Sequence, residues 1–378
     1  MKFEIMRHRL LDGLNVVMKA VSSKTTIPIL TGIKLEVTEK GLSLTGSDSD
    51  VTIQTFIKSE EDGEQVIRVI EEGSIVLQAR MLNEIVRKLP TSDVEMEVKE
   101  NNQTYIKSGK SEFHIIGIDP TEYPLLPEIQ DDSLLIIGSD LLKSVVRETV
   151  FAVSTSESRP VLTGVHWQVK DGELICVATD SHRLARRKLI LENPPEDEFN
   201  VVIPGKSLNE LSKIIGDSSQ PVYIVITSQQ VLFKTKDVLF YSRLLEGNYP
   251  DTSRLIPTEY KTIITMNSKA LFQAIDRASL LAREERNNIV RFSSMEGNQV
   301  EVSSSSPEIG NVEEEIKIST MEGEEIKLSF SAKYMMDALK AFDGQDIVIQ
   351  LTGAMRPFII NAVQDNTLLQ LIVPVRTY

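Results

Sequence analysis

The chain has 378 residues, of which 41% are hydrophobic and 25% charged, and its net charge is −14. That length allows two or three domains with apolar cores, and the composition excludes a low-complexity polymer. The single cysteine, Cys176, excludes an internal disulfide or a multi-cysteine metal centre, and no run approaches the roughly 18 apolar residues of a membrane span.

Residues 1–19 mix charged and apolar side chains without the apolar stretch of a signal peptide, so a cytoplasmic protein is expected. A helix over 9–20 places Leu10, Leu11, Leu14, Val17 and Met18 on one face. The segment Pro28 to Ile33 follows, then an alternating strand at Ile33–Val37, the stretch Leu42 to Asp50, a helix over 78–90 and a strand at Val94–Val98. Glu122-Tyr123-Pro124 closes this first series. The series then restarts. A helix over 141–150 gathers Leu141, Leu142, Val145, Val146 and Val150, and Pro160 to Val165 repeats Pro28 to Ile33 at an offset of 132. Leu174 to His182 repeats Leu42 to Asp50 at the same offset, with Cys176 expected as a buried thiol. A helix over 204–216, a strand at Val222–Ile226 and Asn248-Tyr249-Pro250 complete the second series. The third is more diverged and is legible through its helices, 269–283 (Leu271, Phe272, Ile275, Ala278, Leu281) and 331–342, and through a strand at Ile347–Leu351. Repetition at a nearly constant spacing that fills the chain identifies three similar units. Each unit carries two helices and about eight clustered strands, an α+β design and not a doubly wound parallel sheet.

A global charge of −14 argues against a polyanionic partner, but its distribution argues otherwise. The six predicted helices carry fourteen basic residues against six acidic ones, and all come out positive. Basic helices along one surface, with acidic sheets turned away, would attract a polyanion there without reading bases. No zinc finger, helix-turn-helix signature or aromatic RNA platform is present.

Asp180-Ser181-His182 brings triad residue types together. Neighbours on an extended segment point in different directions, however, and the equivalent Asp48-Ser49-Asp50 has no His. The four histidines lack metal-ligand spacing, the TGSDSD acids at 45–50 fail the EF-hand pattern, and SGKSEF at 108–113 lacks the first glycine of a phosphate loop. No catalytic residue, metal or cofactor is expected. The alternatives are a hydrolase centred on His182 and a β-rich scaffold indifferent to DNA.

IPILTGI at 27–33, TGSDSD at 45–50, RPVLTGV at 159–165, ATDSHRLA at 178–185, GNYPD at 247–251 and VPVRTY at 373–378 occur in one order. With these motifs the whole chain closely resembles the bacterial sliding clamps, the β subunits of DNA polymerase III, of the Gram-positive type. The resemblance implies the DNA clamp fold: three repeated domains of two helices and antiparallel sheet (1–127, 128–255, 256–378), joined head to tail in a dimeric ring. It implies a non-catalytic factor that tethers the replicative polymerase to double-stranded DNA. A separate clamp loader is also implied, since the chain has no ATPase motif, as are further proteins bearing clamp-docking peptides.

By position, the resemblance implies a partner-peptide pocket formed by Leu162, Thr179, Ser181, His182, Arg183, Leu184, Pro250, Arg254, Leu255, Met355, Arg356, Val373, Pro374, Val375 and Arg376. Lys24, Arg80, Arg147, Lys206, Arg277 and Lys333 would face DNA. The joint between protomers would set Lys110, Phe113 and Ile115 against Leu280, Leu281, Glu308 and Glu314. In two places the sequence departs from the family. Glu112 replaces a basic residue at the joint, and Lys24 stands where Arg is usual, keeping the charge but losing the guanidinium fork.

Overall fold

The computed structural model describes the whole chain except residues 23–24, 62, 127–133, 283–287 and 377–378; Lys24 therefore lies outside the described residues. Its six described α-helices are α1 (Arg7–Val17), α2 (Ala79–Lys88), α3 (Ser139–Thr149), α4 (Gly205–Ser212), α5 (Ser268–Ala282) and α6 (Ala332–Lys340). All six predicted helices are present, and so are the strands predicted at 33–37, 94–98, 222–226 and 347–351. The helical periodicity matches the burial on two helices: Leu10, Leu14 and Val17 are buried on α1, and Leu271, Ile275 and Ala278 on α5. Leu141 is an exception, being exposed on the outer side of α3.

The chain forms two compact units, one of Met1–Asp140 with Glu210–Leu244, the other of Leu141–Asn209 with Leu245–Tyr378. The first unit holds a five-stranded sheet ordered Ser111–Ile116, Gln103–Ser108, Asp93–Val98, Lys2–Met6, Ile67–Glu71. Its eight-stranded sheet runs Leu134–Gly138, Pro221–Ile226, Gln230–Lys234, Val238–Arg243, Val51–Lys58, Gly41–Ser47, Gly32–Thr38, Gly73–Gln78. Helices α1 and α2 pack together, with α1 lying over Val51–Lys58 and Gly41–Ser47.

The second unit holds a nine-stranded sheet ordered Phe199–Pro204, Gly164–Lys170, Glu173–Thr179, Arg183–Ile190, Asp365–Ile372, Phe358–Ala362, Asp346–Leu351, Thr262–Asn267, Thr320–Gly323. A four-stranded sheet runs Gly310–Lys317, Gln299–Ser306, Ile289–Met295, Lys327–Ser331. Helices α5 and α6 pack together, with α5 against the four-stranded sheet, over a core that includes Met266, Ile275, Phe292, Phe330, Met335 and Phe342.

Each large sheet is therefore assembled from two sequence repeats, and the two seams are equivalent. Val51 pairs with Ser242 across one, and Arg183 with Ile372 across the other. The repeats also share a loop. Asp48 Oδ1 accepts from the backbone N–H groups of Asp50 and Val51, and Asp180 Oδ1 from those of His182 and Arg183. Ser49 and Ser181 take the same uncommon left-handed backbone, φ 81° and 79°.

The charge pattern of the helices needs correction. Asp140 falls inside α3 and Lys213 beyond α4, which leaves these two helices neutral; the other four keep a positive balance. No helix among the described residues is long and apolar enough to cross a membrane.

Candidate functional site

At one end of the nine-stranded sheet the register brings three segments together. The loop 179–183 connects Glu173–Thr179 to Arg183–Ile190. The tail 373–376 leaves Asp365–Ile372 directly beside it, since Arg183 pairs with Ile372. The turn carrying Met355 and Arg356 precedes Phe358, which also pairs with Ile372. Val373 N–H donates to His182 O at 2.9 Å and Val375 N–H to Ser329 O at 2.8 Å, so the tail is fastened on both sides. Leu184 shares an apolar cluster with Val177, Ile359, Leu369 and Leu371, against which Tyr249, Ile256 and Val373 pack. These contacts join Pro250 and Leu255, through their neighbours, to the same patch.

The loop itself is tightly determined. Thr179 Oγ1 donates to Arg183 O at 2.6 Å and accepts from Ser181 N–H at 3.2 Å, while Thr179 N–H donates to the Tyr249 hydroxyl at 3.1 Å. His182 and Ser181 are turned outward, with the His182 ring 6.2 Å from that of Tyr334. Asp180 is committed to two backbone N–H groups and to Arg183 Nε, so Asp180, Ser181 and His182 do not assemble a triad. Among the described residues no group of three or more His, Cys, Asp or Glu is placed to hold a metal ion.

The predicted pocket residues fall into two layers. Leu255 and Met355, each about half exposed (51% and 52%), and Ser181, His182, Pro250, Arg254, Arg356 and Arg376 are presented to solvent, with Val373 and Val375 half-buried. Thr179, Leu184 and Pro374 are buried in the same segments, and Leu162 is buried as well, outside the apolar cluster of Leu184. Arg183 requires correction: it is only 7% exposed, and its guanidinium turns inward, bound to Asp180 and Asp337. A cation buried in the protein needs such partners, so Arg183 supports the loop from behind and does not present its charge to an arriving chain.

Of the residues predicted to face DNA, Arg80, Arg147, Lys206 and Lys333 are exposed. Arg277 departs from expectation. Its Nε binds Glu314 Oε2 at 2.8 Å and its Nη2 binds Glu314 Oε1, which ties α5 to the strand Gly310–Lys317 and neutralises the charge. The bond holds the Glu314 carboxyl below its usual range. The predicted joint residues lie on sheet edges. Ser111–Ile116, carrying Phe113 and the half-buried Ile115, is the outer strand of the five-stranded sheet, with the exposed Lys110 in the turn before it. Gly310–Lys317 is the outer strand of the four-stranded sheet and holds Glu314. Leu280 and Glu308 are exposed and Leu281 is half-buried.

Family models of the DNA polymerase III beta subunit match in three consecutive pieces: the N-terminal domain over residues 1–127, the central domain over 136–251 and the C-terminal domain over 253–376. The chain belongs to the DNA polymerase III beta subunit family, the beta sliding clamps. The beta sliding clamp of Bacillus subtilis is 57% identical over 378 residues and that of Staphylococcus epidermidis 50% over 379, each pair covered in full. The crystal structure of the Bacillus subtilis clamp superposes with a TM-score of 0.97 over all of both chains. A Pseudomonas aeruginosa clamp bound to griselimycin, 26% identical, reaches 0.91 over all of both chains. The chain is accordingly a non-catalytic processivity subunit of DNA polymerase III that acts in DNA replication. Clamps of this family bind DNA and polymerase.

Several residues of the site went unmarked in the sequence. Tyr334 and Asp337 lie one helical turn apart on α6, a spacing that puts them on one face, but nothing local ties that face to the 180s loop. In the sequence Tyr249 is visible only as part of a repeated Tyr-Pro pair. His166 stacks on its ring (centroids 4.9 Å apart, planes at 9°) and donates from Nε2 to Asn200 Oδ1. Burial lowers the His166 pKa despite the Asn200 bond. A His held neutral in the fold contributes stability that is complete above its unfolded value, about 6.5, and lost as pH falls below it. Melting temperature should therefore drop on going from pH 7.5 to 5.5, and less steeply in His166→Phe. Equal slopes by differential scanning calorimetry would refute this role for His166.

Proposed function

We propose that two copies of the chain, each with domains at 1–127, 128–255 and 256–378, close head to tail into a ring around duplex DNA. The supporting observation is a pair of complementary open edges. Ser111–Ile116 offers Phe113 and Ile116, the latter 79% exposed, and the neighbouring Lys107 and Lys110 outnumber its own Glu112. Gly310–Lys317 offers the exposed Glu313 and Glu315, and the exposed Leu280 lies on the neighbouring α5. Unpaired edges of opposite charge with apolar side chains form a heterologous joint that closes if the rotation allows. Lys24, Arg80, Arg147, Lys206 and Lys333 would meet phosphates, giving sequence-independent, salt-sensitive attraction. Arg277, already neutralised, contributes little to it. The protein would act in the cytoplasm, where a separate loader opens the ring.

Leu255, Met355, Pro250, Arg254, Arg356, His182 and Ser181, with Val373, Val375 and Arg376, form the surface on which the polymerase and other clamp-binding proteins dock a short segment. An apolar floor rimmed by polar donors suits a peptide carrying a Gln and bulky apolar side chains. Met355 is adaptable enough to accept several such partners.

The ring is tested by topology. Once loaded, the protein should stay on nicked circular DNA in high salt and run off after linearisation, and sedimentation should give about twice 42.4 kDa. Equal retention on both forms of DNA overturns enclosure.

A further inference from the structure

We propose that Asp337 is a positioning residue for the docking surface: through Arg183 it fixes the 179–184 loop against α6 in the conformation that a partner segment meets. This rests on the docking reading above. The geometry is a buried guanidinium between two carboxylates and two aromatic rings. Nε donates to Asp180 Oδ2 at 3.0 Å, Nη1 donates to Asp337 Oδ2 at 2.9 Å, and the Tyr334 ring lies 4.5 Å from the guanidinium carbon, with Phe151 at 5.5 Å.

The two carboxylates do different work. Asp180 sits three residues from Arg183 in the same loop, so that pair travels with the loop wherever it goes. Asp337 is 154 residues away, on a helix anchored in the core through Ala332, Met335, Ala338 and Leu339. The bond to Asp337 therefore ties the loop to α6, as the Thr179–Tyr249 and Val373–His182 bonds tie it to the Tyr249 segment and to the tail. The opposite wall is referenced to the same element, because Val375 N–H binds Ser329 O on the strand Lys327–Ser331, which leads directly into α6. Both sides of the docking surface are thus registered to α6, and a partner meets walls already in place and does not have to order them on binding.

A planar fork can satisfy both carboxylates at once, whereas an ammonium cannot reproduce that arrangement. The second Asp337 oxygen faces Lys340 Nζ at 3.7 Å on the exposed side, a loose contact that leaves the Arg183 bond as the directional one.

The test measures binding of a short fluorescein-labelled peptide, carrying one Gln and two bulky apolar residues, to the full-length protein by anisotropy, together with thermal melting. Asp337→Asn should weaken binding roughly tenfold, the size of a lost charge-assisted bond. Arg183→Lys should do the same, and the double variant should be no worse than either single one, since all break one link. Asp337→Glu, which keeps the carboxylate, should recover most of the affinity. Phe292→Leu, a core change in the same unit, is the control for stability loss and should leave affinity at the wild-type level. Wild-type affinity in Asp337→Asn, while Leu255→Ala and Met355→Ala weaken binding, overturns the positioning role and leaves the docking surface standing. An equal loss in Phe292→Leu also overturns it, by reducing the effect to stability. Unchanged affinity in both Leu255→Ala and Met355→Ala removes the docking surface, and the proposal falls with it.

Discussion

A chain ending at Ile372 is expected to lose peptide and polymerase binding by more than about a hundredfold while keeping its dimer mass. Val373 packs on the cluster of Val177, Leu184, Ile359, Leu369 and Leu371, and Pro374 is buried. Covering one such side chain is worth about 1.5–3 kcal/mol. Two backbone bonds go as well, Val373 to His182 and Val375 to Ser329, each worth about 1 kcal/mol net. Truncation thus removes one wall of the docking surface and one of the bonds that hold the loop forming the other. The proposed joint should stay intact, because the tail's bond to Ser329 falls on the edge of the four-stranded sheet opposite Gly310–Lys317, and Ser111–Ile116 lies in another sheet. Anisotropy with the labelled peptide and sedimentation equilibrium check the two halves separately. A monomeric product would mean that the tail belongs to the joint, and intact peptide binding would mean that it does not form the wall.

How much of this was legible in the sequence depends on how far apart the partners lie. The helices were readable because their signal is local, three or four residues on one face, and the repeat was readable because the 132-residue offset is carried by turn-making residues. Asp48 and Asp180 recur since each must accept two backbone N–H groups to turn the chain. The seams carry no local signal. Arg183–Ile190 pairs with Asp365–Ile372 although some 180 residues separate them, and neither strand's alternation names its neighbour. For this reason the repeats, which are units of sequence, do not coincide with the compact units, each of which holds a sheet built from two repeats. The misreadings of charge have the same origin. Arg183 and Arg277 stood out as cations at suggestive positions, but their partners Asp337 and Glu314 lie 154 and 37 residues away. Ile116 carries no mark in the sequence, because Ser111–Ile116 looks like any half-buried strand; in the fold it is exposed on an edge strand.

The largest stability loss is expected from Arg187→Ala, about 3 kcal/mol, seen as a lower denaturation midpoint in urea. Arg187 lies on the seam strand Arg183–Ile190, with Nη1 bound to Asp365 at 2.6 Å and to Thr367 Oγ1 at 2.8 Å. Its Nε stands 3.2 Å from Glu148 Oε2 at the end of α3, close enough for attraction but not aligned as a hydrogen bond. Glu148 is buried, and its other oxygen accepts from Ser144 Oγ at 2.6 Å. Burial raises the Glu148 carboxyl above its usual range, opposed by the Ser144 bond and by the charge of Arg187. Removing Arg187 leaves that carboxylate buried with less compensation and unpairs Asp365, which is why truncating the cation costs more than the pair is worth. Glu148→Gln should cost much less, because Arg187 keeps Asp365 and Thr367. The pH dependence separates the two variants. A carboxyl raised in the fold contributes stability that is complete below its unfolded value, about 4.3, and lost as pH rises through the folded one. Wild-type protein carries that slope through the mildly acidic range, and Glu148→Gln should flatten it. A Glu148→Gln variant as unstable as Arg187→Ala, with the slope unchanged, would show that the carboxylate is fully paired and that Arg187 acts chiefly through Glu148.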